Sequence, residues 1–73
     1  MLKKLLKIIE YYFDEEINEN TPIDNLKTNE IDYYELLMDI EDEFEISIDL
    51  DEIENIKNVR ELLDYVIDEK SSS

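Results

Sequence analysis

Residues 29–55 hold twelve carboxylates and no Lys, Arg or His, yet apolar residues recur through the same stretch: Ile31, Tyr34, Leu37, Ile40, Phe44, Ile46 and Ile48. A disordered acidic tail is poor in aromatic and branched aliphatic residues, because it has no core to bury them in. Here the apolar residues fall at helical spacing. The carboxylates are therefore predicted to sit on the outside of a folded helix. A surface of one sign selects partners of the other, and basic proteins are the expected class.

The other limits follow from the rest of the composition. A chain of 73 residues has room for one small core. At this size folding buries only about 60% of the unfolded chain's surface and leaves a net stability of a few kcal/mol. A formal net charge of -15 argues against binding to nucleic acid, which needs Lys and Arg to displace the counterions of the phosphates. There is no cysteine and no histidine, so disulfides, thiolate nucleophiles, imidazole bases and the usual zinc ligands are absent. The sequence reads as non-enzymatic. Lys7 and Glu10 interrupt the apolar N-terminus before it reaches the length of an export signal or a membrane span. Asp49-Leu50-Asp51-Glu52 lacks the glycine turn and alternating ligands of a calcium loop. No metal site is expected, and a bundle this small has no room for a carboxylate-lined hydrolase cleft.

Leu2, Leu5, Leu6, Ile9, Tyr12 and Phe13 predict a first helix over residues 2–14. Residues 14–28 carry Asn18, Asn20, Asn25 and the only proline, Pro22, and read as a fifteen-residue loop anchored by Ile17, Ile23 and Leu26. Asn29 is the expected N-cap of a second helix that runs to Glu45, a rod of roughly 25 Å. Its inner stripe is read as Ile31, Tyr34, Leu37, Ile40 and Phe44, with Tyr12 and Tyr34 in the core and Tyr11 and Tyr33 at the rim. Glu45 to Asp49 reads as an extended connector. Asp49-Leu50-Asp51-Glu52 has the form of a capping box and opens a short helix to Asn55; Asn58-Val59-Arg60-Glu61 repeats the device ahead of a last helix. That helix buries Val59, Leu62, Leu63 and Val66 and is expected to fray near Glu69, leaving residues 71–73 as a disordered tail. With no glycine in the chain, helix ends are expected to use Asn or no left-handed cap. The fold class is all-α, a four-helix bundle with a short third helix, in a single domain over residues 1–70.

Thr21-Pro22-Ile23-Asp24-Asn25-Leu26, Ile31-Asp32-Tyr33-Tyr34-Glu35-Leu36-Leu37-Met38 and Ile40-Glu41-Asp42-Glu43-Phe44 together resemble the central part of acyl carrier proteins. The resemblance extends without gaps through Ile46-Ser47-Ile48 and Ile56-Lys57-Asn58-Val59 to Leu62-Leu63-Asp64-Tyr65-Val66, covering about residues 2–68. It implies the family's bundle and a cytoplasmic, monomeric carrier whose acidic second helix docks on basic patches of acyl-chain enzymes. On this chain that docking set is Asp32, Glu35, Asp39, Glu41 and Asp42. In the family a Gly-x-Asp-Ser-Leu segment opens the second helix, and its serine bears the phosphopantetheine arm. This chain reads Lys27-Thr28-Asn29-Glu30-Ile31 there, so Glu30 stands at the serine position. The 4'-phosphopantetheine cofactor is therefore not expected on Glu30, whose carboxylate would give a mixed anhydride that water cleaves. Thr28 and Ser47 are the nearby alternative hydroxyls, both poorly placed. A structural reading of Glu30 needs only its favourable interaction with the helix dipole; a sharper one makes its charge an imitation of the arm's phosphodiester. Outside the family, the same acidic surface fits a small inhibitor or immunity-type protein that neutralises a basic enzyme.

The charge makes one prediction. Because self-repulsion at -15 opposes a marginal core, raising NaCl to about 0.5 M or adding a divalent cation raises Tm. A flat or falling Tm across that range contradicts it.

Overall fold

A computed structural model describes residues 1–72 as α1 (Leu2–Tyr12), a 3₁₀ turn (Ile23–Leu26), α2 (Glu30–Phe44), α3 (Leu50–Ile53) and α4 (Val59–Ser72). Among the described residues there is no strand, only an isolated antiparallel bridge between Pro22 and Asn58. The all-α bundle expected from the sequence is the fold observed.

α1 has no side-chain cap and carries no acid in its first turn, so propensity and dipole give it little. Packing holds it instead, through fully buried Leu5 and Ile9 set against α2. It ends at Tyr12, with Phe13 already extended, two residues short of the predicted end. α2 starts as expected: the Asn29 side-chain oxygen accepts from the N–H groups of Ile31 at 3.1 Å and Asp32 at 3.2 Å.

The buried stripe of α2 differs from the predicted one. Tyr33, Leu36, Leu37, Ile40 and Phe44 are inside, while Ile31 is 71% and Tyr34 50% exposed. At about 100° per residue, Ile31 lies some 120° around the helix from Leu37 and cannot share its face. The tyrosine assignment reverses with it. Tyr33 is core and Tyr34 is surface, whereas Tyr12 is half-buried and Tyr11 exposed.

The fifteen-residue loop is more structured than its composition indicates. Its 3₁₀ turn buries Ile23 and Leu26, and the Ile23 N–H donates to the Lys57 carbonyl at 2.9 Å. In return it caps α4. The N–H groups of Val59 and Arg60 donate to the carbonyls of Thr21 at 3.0 Å and Glu19 at 2.8 Å, and Glu61 N–H donates to the Asn58 side chain at 2.9 Å. These first-turn donors have no partner within the helix itself. The Arg60 guanidinium adds a 3.2 Å ion pair to Glu19.

Two helix ends depart from expectation. The Asp49 side chain caps α3 by accepting from Asp51 N–H at 2.9 Å, but the reciprocal half of the predicted capping box is missing. The Asp49 N–H donates to the Tyr65 hydroxyl at 3.0 Å instead of to Glu52. α3 closes at Ile53, short of Asn55. At the end of α2, Glu45 takes the left-handed conformation, φ 55°, that a chain without glycine was expected to avoid. The gain is one hydrogen bond: Glu45 N–H makes the ordinary helical bond to the Glu41 carbonyl, and the left-handed turn brings Ile46 N–H to the same oxygen at 3.1 Å. Lys70 Nζ donates to the Phe44 carbonyl at 3.2 Å, placing a cation at the negative end of the helix. α4 runs through Ser71 and Ser72, beyond the fraying expected near Glu69; Ser73 lies outside the described residues.

The left-handed Glu45 yields a stability prediction. Glu45→Gly removes the Cβ clash and raises the unfolding free energy by about 0.5–1 kcal/mol, the gain being smaller than the strain because glycine loses more entropy on folding. Denaturant titration of the two proteins checks the sign.

Candidate functional site

The outer face of α2 is built by its own periodicity. Once Tyr33, Leu36, Leu37, Ile40 and Phe44 turn inward, Asp32, Glu35, Asp39 and Asp42, spaced three or four residues apart, form one acidic row. The fifth predicted docking residue, Glu41, stands apart. It is half-buried, and its Oε2 accepts from Ile48 N–H at 2.8 Å, which ties the connector after α2 to the helix.

Beside the acids runs a second row that sequence reasoning placed in the core or left unassigned. Ile31, Tyr34 and Met38, the last 55% exposed, lie next to one another on the surface of α2. Their i, i+3, i+7 spacing is the signature of an apolar stripe. A helix with two apolar stripes has one to spare, and only the fold shows which one that is.

The C-terminal half of the acidic row touches α1. The Tyr12 O–H donates to Asp39 Oδ2, and Lys4 Nζ lies 2.7 Å from Glu43 and 6.0 Å from the centre of the Phe44 ring. The bond to Asp39, together with partial burial and the surrounding negative charge, pushes the Tyr12 hydroxyl up to about 12, because each disfavours the phenolate.

At the N-terminal end, Glu30 is the first residue of α2. It lines a cavity of about 210 Å³ between α2 and α3 with Lys27, Tyr33, Tyr34, Leu50, Ile53 and Glu54. Lys27 Nζ sits 5.8 Å from the centre of the Tyr33 ring. The Tyr33 hydroxyl is buried without a hydrogen-bond partner among the described residues, and burial raises its pKa. The first turn, Glu30-Ile31-Asp32-Tyr33, thus offers two carboxylates, an apolar side chain and a sealed phenol, with no accessible hydroxyl to esterify. Thr28 precedes the helix and its hydroxyl donates to the Asn25 carbonyl at 3.4 Å; Ser47 is exposed in the connector beyond the opposite end. Among the described residues no group of three or more His, Cys, Asp or Glu side chains could hold a metal ion, and no helix is long and apolar enough to cross a membrane.

The chain matches the family described as phosphopantetheine attachment site over residues 2–66. It is similar to an acyl carrier protein of Exiguobacterium sibiricum, 42% identical over 43 residues, or 59% of this chain and 54% of the relative. It is also similar to an acyl carrier protein of Buchnera aphidicola subsp. Schizaphis graminum, 32% identical over 66 residues, which covers 89% of this chain and 84% of the relative. The chain thus spans about half the length of the first relative and most of the second. No solved structure matches.

The raised Tyr12 pKa carries a sign. A folded-state value of about 12 against an ordinary 10 means the Tyr12–Asp39 bond contributes its full stability below pH 10 and loses it as pH rises toward 12. Wild type is expected to lose stability more steeply than Tyr12→Phe between those limits. Urea midpoints measured for both proteins at stepped pH check it, and parallel curves contradict it.

Proposed function

We propose, since this chain belongs to the phosphopantetheine-attachment family of acyl carrier proteins, that it is a carrier-type docking module acting without a covalently attached arm. Acyl carrier proteins are carriers and not enzymes, in keeping with a chain that lacks histidine and cysteine. The partners are basic surfaces on enzymes of acyl-chain metabolism, whether fatty-acid, polyketide or peptide assembly. They meet the acidic row Asp32, Glu35, Asp39 and Asp42 together with the exposed Ile31, Tyr34 and Met38. Charge of one sign over such a row speeds encounter by about 10- to 1000-fold and falls with salt, while the apolar row supplies the buried contact. The protein works as a cytoplasmic monomer.

The observation that carries the unarmed reading is the chemistry of the α2 first turn. A phosphodiester needs an alkoxide oxygen at the helix start, and Glu30 occupies that place with a carboxylate. Phosphopantetheine does not fit there as a stable adduct. The Glu30 charge instead sits where the helix dipole favours an anion, which supports its standing in for the missing phosphate.

Incubation with a broad-specificity phosphopantetheinyl transferase and coenzyme A, read by intact mass, is expected to leave the wild-type chain unchanged. Glu30→Ser is expected to gain one phosphopantetheine. A gain on the wild-type chain, whether mapped to Thr28 or Ser47, overturns the unarmed reading; an unmodified Glu30→Ser overturns the assignment of Glu30 to the attachment position.

A further inference from the structure

α3 is a helix that its own sequence does not sustain. Its four residues, Leu50–Ile53, form barely one turn, and a helix that short does not repay its nucleation in isolation. The connector before it has no strand alongside among the described residues, so its N–H groups find no ladder. Side chains of two other helices take them instead. Glu41 Oε2 of α2 accepts from Ile48 N–H at 2.8 Å, and the Tyr65 hydroxyl of α4 accepts from Asp49 N–H at 3.0 Å. Two consecutive backbone donors are thus held at the Asp49 cap of α3, each from a different helix. Glu41 grips the connector twice, since its carbonyl also accepts from Ile46 N–H.

Once seated, α3 completes the start of α2. Leu50, Ile53 and the following Glu54 line the same cavity of about 210 Å³ as Glu30, Tyr33 and Tyr34. Buried Ile53 anchors the turn in the core, and Leu50, exposed like Tyr34, enlarges the apolar surface there. Glu41 touches none of this directly. It stands eleven residues from Glu30, roughly 16 Å along the helix at 1.5 Å per residue.

We infer that Glu41 and Tyr65 are positioning residues: by clasping Ile48 and Asp49 they seat α3 against the first turns of α2 and so assemble the surface around Glu30. Glu41 therefore belongs to the framework of the site and not to the acidic row that a partner meets. The inference rests on the docking reading for the use of that surface, and on the hydrogen bonds alone for its assembly.

The test uses the full chain, ¹⁵N-labelled, and compares Glu41→Met with Glu41→Gln. Both remove the same charge at nearly the same side-chain length, and only Gln keeps a carbonyl oxygen as acceptor. Glu41→Met is expected to speed amide exchange of Ile48 and Ile53 about fivefold over Glu41→Gln, the effect of one lost hydrogen bond, and to displace the amide resonances of Glu30 and Tyr33. Exchange at Leu5 and Ile9 of α1 is expected to differ less than about twofold between the two variants. Tyr65→Phe, which removes only the hydroxyl, is expected to speed Asp49 and Ile53 by a similar factor over wild type, and it carries the test if Glu41→Met does not fold. Equal exchange of Ile48 and Ile53 in the Met and Gln variants, or equal acceleration in α1, overturns the clasp. Faster exchange with Glu30 and Tyr33 unmoved overturns the assembly of the site. No partner enters the measurement, so either failure leaves the docking reading standing.

Discussion

Everything on the surface of this protein depends on one helix burying one narrow stripe. Tyr33, Leu36, Leu37, Ile40 and Phe44 give α2 its contact with the core, each such side chain contributing about 1.5–3 kcal/mol when fully removed from water. That contact holds in place a helix whose other faces carry Glu30, Asp32, Glu35, Asp39, Asp42 and Glu43 with no cation of its own to offset them. Without the stripe the charges would drive the segment apart. With it, repulsion is tolerated and becomes an electrostatic field of fixed direction.

Two cations and one left-handed residue secure the C-terminal edge of this helix. Lys4 pairs with Glu43, Lys70 reaches the Phe44 carbonyl, and Glu45 accepts a left-handed conformation that lets Ile46 N–H join its own on the Glu41 carbonyl. Glu41 in turn holds Ile48 N–H and fixes the connector leading to α3. The carboxylates of α2 thus divide by task. Asp39, Glu41 and Glu43, toward its C-terminal end, contact α1 or the connector, whereas Asp32 and Glu35 form no ion pair among the described residues. The Tyr33 hydroxyl, by contrast, is buried with no hydrogen-bond partner among the described residues.

The helices were legible because helical periodicity is local. The cap at Asn29, the start of α4 after Asn58, and the core positions Leu5, Ile9, Val59, Leu62, Leu63 and Val66 all follow from spacing and cap chemistry. The α2 stripe was misread because it holds two overlapping apolar series that share Leu37, Ile40 and Phe44, and spacing alone does not rank Tyr33 and Leu36 above Ile31 and Tyr34. The Asp49 N–H partner was equally out of reach, because Tyr65 is sixteen residues away and only the packing of α4 brings its hydroxyl there.

The sequence by itself determined the family, the order of helices, the chemistry available at Glu30 and the sign of the surface, because residue type, spacing and net charge are properties of the chain in any conformation. Only the tertiary structure decided which apolar row of α2 faces water, that Glu41 turns to the connector, and that Lys4 and Tyr12 cover part of the acidic row. Those outcomes depend on the rotation of α2 against α1 and α4. That rotation is set by the packing of all the helices together, which no local run of residues encodes.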